Sequence, residues 1–167
     1  MRNLIALMLL NGVAFAEEHK HPAPPPNPVM DKMKSLVGHW EGTTKEGGKE
    51  MPATTNFKMV SGNSVLMNTL GEGSPYEMIT MIHADQKDVM LTHYCAANNQ
   101  PTMKYSAGQK PNEFRFDFTS GTNIGPNDGH MQRVVYILVD ADHHYEDWTY
   151  VDHGKESTSR FDFHRKK

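Results

Sequence analysis

Phe114-Arg115-Phe116-Asp117-Phe118-Thr119 sets three aromatic rings against three polar side chains at a period of two. Successive side chains of an extended strand point to opposite faces, so this stretch is a half-buried strand with an apolar inner face. The pattern extends both ways along the chain. We read strands over 37–45, 51–60, 64–70, 76–83, 88–96, 102–107, 113–119, 130–139, 143–151 and 155–164. Turn formers divide them: Gly47-Gly48, Ser61-Gly62-Asn63, Gly71 to Pro75, Asp85 to Lys87, Asn98 to Pro101, Gly108 to Asn112, Asp140 to Asp142 and Asp152 to Gly154. Connections this short make neighbouring strands pair antiparallel. A meander leaves two open edges unless its first and last strands meet. The expected fold class is therefore all-β, an about ten-stranded antiparallel meander barrel wide enough to enclose a cavity. The longer, Gly- and Asn-rich connection from Ser120 to Gly129 is expected at a barrel mouth.

Upstream of the strands the chain changes character. Arg2, the apolar run Leu4 to Leu10 and the small-residue site Ala14-Phe15-Ala16 make 1–16 a signal peptide cleaved near Ala16. Its apolar run falls short of the about 20 residues that span a bilayer, and no later stretch is apolar enough. The expected product is secreted or periplasmic. The one cysteine, Cys95, does not follow the cut, so no lipid anchor is expected there, and an internal disulfide is impossible. Residues 17–28, rich in proline and without apolar periodicity, read as a disordered tether. Residues 29–167 are then a single barrel domain. A short helix leads into it, with Asn27 as cap, Pro28 in its first turn, apolar positions at Val29/Met30, Met33 and Leu36/Val37, and Gly38 as stop. The 17 basic and 20 acidic residues are interspersed, with a basic block only at Arg165-Lys166-Lys167, so nucleic acid is not an expected partner. Self-association is left open.

The stretch Leu36-Val37-Gly38-His39-Trp40-Glu41-Gly42, placed after a helix, resembles the signature of the lipocalin/calycin superfamily. Together with Thr92-His93-Tyr94-Cys95-Ala96-Ala97, Asn99-Gln100-Pro101, Gly129-His130-Met131 and Arg165-Lys166, it is similar to a family of uncharacterised secreted bacterial proteins with lipocalin-like barrels. The resemblance implies a fold and no activity. It also implies structural roles for Gly38, Trp40 and Arg165, with the tryptophan packed at the closed end beneath an arginine from the last strand. Nitrobindin-type haem barrels open with a similar Gly-x-Trp-x-Gly. Here Thr43-Thr44-Lys45 replaces their glycine-rich continuation, so haem is not expected.

Candidate site residues follow from chemistry. His93 and Cys95 share a strand face, but i, i+2 spacing holds their side chains roughly 6–7 Å apart, beyond hydrogen-bond reach. No catalytic residue is assigned, and packing is the favoured role of Cys95. Asn99 begins a turn-forming run, and Cys95, Asn99, His130 and Met131 are expected to converge at one barrel end. Glu146, Trp148 and Tyr150 share a face of the ninth strand. With a symmetric Asp152–Gly154 turn, Arg160 lies opposite Glu146, and His144 opposite Asp162. Facing outward, the favoured reading, this is a cladding of ion pairs. Facing inward, Arg160 beside Trp148 would anchor a carboxylate ligand. The tentative ligand-binding set is thus His93, Cys95, Asn99, His130, Trp148 and Arg160. His143 and His144 point oppositely and do not chelate together, and the strand- and turn-end histidines read as solvated surface groups. Cleavage after Ala16 would expose Glu17-Glu18-His19, whose amine, two amides and imidazole suit square-planar Cu(II) or Ni(II). The favoured function is a non-enzymatic binder or carrier of a small apolar or amphiphilic molecule inside the barrel. Metal or haem binding, and an enzyme using barrel-mouth residues, are the alternatives.

Overall fold

The structure is a computed structural model and describes residues 25–46 and 48–167. The leader expected at 1–16, residues 17–24 of the tether and the Glu17-Glu18-His19 motif lie outside the described residues. Helix α1, Pro28–Met33, is capped by Asn27, whose Oδ1 accepts from the Val29 and Met30 amides at 3.1 and 3.2 Å. Pro28 needs no amide partner in the first turn. A 3₁₀ turn, Lys34–Leu36, continues the helix. Met30, Met33 and Leu36 are buried against the barrel.

Ten strands follow: β1 Gly38–Glu46, β2 Lys49–Val60, β3 Val65–Leu70, β4 Met78–Asp85, β5 Asp88–Tyr94, β6 Gln100–Ala107, β7 Glu113–Thr122, β8 His130–Leu138, β9 His143–Asp152 and β10 Lys155–Arg165. Each pairs antiparallel with the next, and β1 pairs with β10 from Trp40↔Arg165 to Thr44↔Phe161, closing the barrel. Connections therefore gather at two ends. The helix sits with 61–64, 86–87, 108–112 and 139–142. The opposite end, here called the mouth, carries the 71–77, 95–99, 123–129 and 153–154 connections.

The helix end is locked by Arg165. Its guanidinium lies 4.0 Å above the Trp40 ring and donates to the carbonyls of Val37 (2.8 Å), Ser35 (2.9 Å) and Ala141 (2.9 Å). Trp40 Nε1 in turn donates to Leu36 O at 2.7 Å. Gly38, at φ 137°, lets the arginine pass, because a Cβ there would stand 2.7 Å from Nη1. The middle of the barrel is filled with side chains. Leu91, Met103, Phe116 and Tyr136 are each 0% exposed, so no water-sized void touches them. The enclosed cavity expected from barrel size is replaced here by packed rings, Tyr136 standing 6.2 Å from Phe116 and 6.3 Å from Trp148. Open space lies at the mouth.

One register differs from expectation. β9 and β10 are joined by two residues, His153 and Gly154, both at positive φ (47° and 75°), with Asp152 paired to Lys155. Positive φ at both central positions is the twist-compatible hairpin turn. The three-residue symmetric turn read from sequence is off by one. Arg160 faces Asp147, Glu146 faces Phe161, and His144 faces Phe163. A one-residue shift moves a side chain to the other face of a sheet.

Replacing Arg165 with Ala is expected to lower stability by about 2–4 kcal/mol, the loss of a cation–π contact and charge-assisted hydrogen bonds. A urea melt checks this: the midpoint should fall with an unchanged slope, and Arg165→Lys should recover only part of the loss.

Candidate functional site

The inner wall carries an unusual amount of polar chemistry. On β2 to β5 the inward positions are mostly aliphatic, but Thr55, Asn68, Thr80 and His93 interrupt them with at most 2% exposure. The register sets Asn68 opposite Thr80 and Thr80 opposite His93, so three adjacent strands contribute one polar row. Asn68 Nδ2 donates to Thr55 Oγ1, and Thr80 Oγ1 lies 2.9 Å from His93 Nδ1. Asn68 Oδ1 and His93 Nε2 have no protein partner. Burial pushes the His93 imidazole down to about 4 from an ordinary value of 6.5, so it is neutral at pH 7.

Across the barrel, the His93 ring packs at a tilt against that of Trp148, with 4.6 Å between ring centres and 42° between planes. Trp148 Nε1 donates to Glu146 Oε2 at 2.9 Å, and His144 Nε2 lies 3.3 Å from Glu146 Oε1. These three residues are two apart along β9, so they share the inner face. Glu146 and His144 are each 0% exposed. Tyr136 stands opposite Glu146 on β8. Burial, and then the Glu146 charge, push its hydroxyl well above the usual phenol range. Tyr136 Oη and His144 Nδ1 are buried without a partner. His144 also packs edge-on against Trp40 at 4.4 Å, which joins this cluster to the Arg165 lock.

Above the polar row lies the mouth. A groove of about 560 Å³ opens there, with Met51, Ala53, Leu70, Met78, Tyr76 and Phe161 among its lining. Ala53, Leu70 and Met78 sit two residues from Thr55, Asn68 and Thr80 on the same strands, roughly 7 Å nearer the opening. The groove is thus mainly apolar-walled, and the polar row, here called the floor, lies one layer beneath it and outside its lining. Tyr76, 74% exposed, stands on its rim.

The structure distributes the sequence candidates over several places. His93 and Trp148 are inside and in contact. Cys95 lies just past the end of β5, half-buried, its amide donating to Asn99 O at 3.0 Å. Asn99 is buried and donates to Gly129 O at 2.8 Å, beside His130. The loops carrying these three thus meet at the mouth. His130 packs at a tilt against Phe118, 4.4 Å between ring centres, and its Nε2 is buried without a partner, so it is not a solvated surface group. Arg160 is on the outer wall, where its Nε and Nη2 bond both Asp147 oxygens at 2.7 and 2.6 Å. It shares no face with Trp148, which removes the carboxylate anchor that the shifted register suggested. Glu146 and Trp148 face inward rather than into solvent, and His144 is core. Thr55, Asn68, Thr80, Tyr136, His144 and Glu146 also belong to the buried inner wall, beyond the sequence candidates. Their signal was present as polar residues in phase with inward aliphatics, as in Leu66-x-Asn68-x-Leu70.

No family model and no curated protein sequence matches the chain. Among solved structures, that of Rv2717c from M. tuberculosis is similar, with a TM-score of 0.57 over 84% of this chain and 98% of that one. At 14% identity the likeness extends to the barrel fold alone. Among the described residues no helix is long and apolar enough to cross a membrane.

The depressed His93 value has a testable sign. Unfolded chains take up a proton on this histidine near pH 6.5, the folded chain only near pH 4. Stability from its neutral burial is present above pH 6.5 and is lost as pH falls toward 4. Unfolding free energy measured across that window should fall more steeply for the wild type than for His93→Gln, by about one proton of slope.

Proposed function

We propose that this protein is an exported, non-enzymatic binder of a small amphiphilic molecule, taken at the barrel mouth with its polar end on the floor row. Export rests on the leader pattern of residues 1–16. The observation that carries the binding role is the groove itself: apolar walls from Ala53, Leu70, Met78 and Phe161 over a floor where Asn68 Oδ1 and His93 Nε2 lack partners. A buried polar atom without a hydrogen bond costs about 1–3 kcal/mol. A ligand hydroxyl, amide or acid proton reaching Asn68 Oδ1 would remove that penalty, while its apolar body would leave water along the walls. The floor atoms are closed off, so binding requires side chains of the mouth layer to move aside. Neutral His93 can donate or accept at Nε2 according to its tautomer, which suits a neutral or weakly acidic head group.

Titration with a dansyl-labelled medium-chain fatty acid tests this. Saturable fluorescence enhancement with about one site is expected. Ala53→Trp, which fills the groove, should abolish it, and Asn68→Leu should weaken it about tenfold. Undiminished binding by Ala53→Trp, its fold verified by circular dichroism, would remove the mouth from consideration.

A further inference from the structure

The outer wall carries a second constellation, on the opposite face of the sheet from His144. His143 on β9 is paired directly with His164 on β10, and Asp162 lies two residues before His164. All three therefore project from the same outer patch at the helix end. The ligand atoms His143 Nε2, Asp162 Oδ1 and one ring nitrogen of His164 lie within 4.8 Å of one another. His143 Nε2 is 2.9 Å and His164 Nε2 3.4 Å from the same oxygen, Asp162 Oδ1. The two imidazoles are stacked at 4.3 Å with planes 15° apart.

From these distances we propose that His143, Asp162 and His164 form a binding site for a divalent transition cation of the Zn(II) class. Ligands about 2.0–2.1 Å from a tetrahedral zinc stand about 3.3 Å from one another, a value that falls between the two observed nitrogen–oxygen separations of 2.9 and 3.4 Å. Two imidazoles and one carboxylate are a donor set that Zn(II), Cu(II) and Ni(II) take readily, and hard Mg(II) does not. The ligands stand on a paired two-strand platform, so little backbone order has to be gained on binding. His143 is mostly covered (19% exposed), while Asp162 and His164 are 44% and 65% exposed, so the remaining coordination positions face water. Tyr145, whose ring is 4.7 Å from that of His143, and Glu41, paired opposite His164, border the patch. Glu41 is bonded to Lys166, which limits its draw on a cation. The site differs in place and ligand set from the N-terminal Glu17-Glu18-His19 motif. A bound ion would staple β9 to β10 near Arg165, one strand away from the β1–β10 pairing that shuts the barrel.

Calorimetric titration of the chain with Zn(II), at neutral pH in a buffer that does not coordinate metals, tests the site. The wild type and His19→Ala should each take up one Zn(II) with micromolar affinity. His164→Ala, a largely exposed position that should leave the fold intact, should weaken uptake at least tenfold, and Asp162→Asn should do the same. Saturating Zn(II) should raise the melting midpoint of the wild type by about 5 °C and leave that of His164→Ala unmoved. Absence of uptake by the wild type, equal affinity in His164→Ala, or loss in His19→Ala alone would overturn the assignment.

Discussion

The packing of Arg165 on Trp40 is the contact on which the rest of the molecule depends. A ten-strand meander has no reason to stop twisting until its last strand finds its first. Here the final strand ends in a guanidinium that reaches back to the carbonyls of Ser35, Val37 and Ala141. One side chain thereby joins the helix exit, the start of β1, the β8–β9 connection and the end of β10. These three acceptors are main-chain oxygens, so the arrangement fixes backbone paths, while the Trp40 ring and the Asp142 carboxylate, 3.2 Å from Nε, add side-chain contacts. The ring beneath it is nearly fully buried and touches His144, so the order imposed at the helix end reaches the charged cluster inside.

That interior is an expensive design. Burying a carboxylate and two imidazoles in the middle of a small barrel carries desolvation penalties that well-packed aliphatics would avoid. Glu146 is compensated by Trp148 and His144, and His93 by Thr80 at one nitrogen. Compensation stops there: Asn68, His93, Tyr136 and His144 each keep an atom without a partner. Local disagreement of this kind between polar groups and their surroundings is characteristic of sites kept for a use other than stability. The outer wall behaves differently. Its charges are matched, as where Arg160 holds both Asp147 oxygens at 2.7 and 2.6 Å.

Much of the fold was legible in the sequence because its signals are local. The Asn27-Pro28 start, the period of two through Phe114, Phe116 and Phe118, and the Gly and Asn turns each depend on neighbouring residues alone. What could not be read depends on backbone conformation at a single hairpin. Whether Asp152 to Gly154 turns in two residues or three is decided by positive φ at His153, a conformation that histidine adopts only in context. That one residue determines which β10 side chain stands beside Glu146. It also determines whether His143 meets His164, two histidines 21 positions apart in the numbering. A preference for placing charges outside, sound on average, failed at Glu146 because Trp148 and His144 supply its partners from the same strand.

Closure through β1 and β10 also orders events in time. The two strands that meet are separated by almost the whole barrel, so their union requires nearly the longest loop the chain can form. Hairpins along the meander need no such search and should assemble early, leaving a curled ribbon with two bare edges. Such edges invite pairing with a neighbouring molecule. The interval before β10 docks on β1 is therefore when this polypeptide is most vulnerable to pairing with a neighbour.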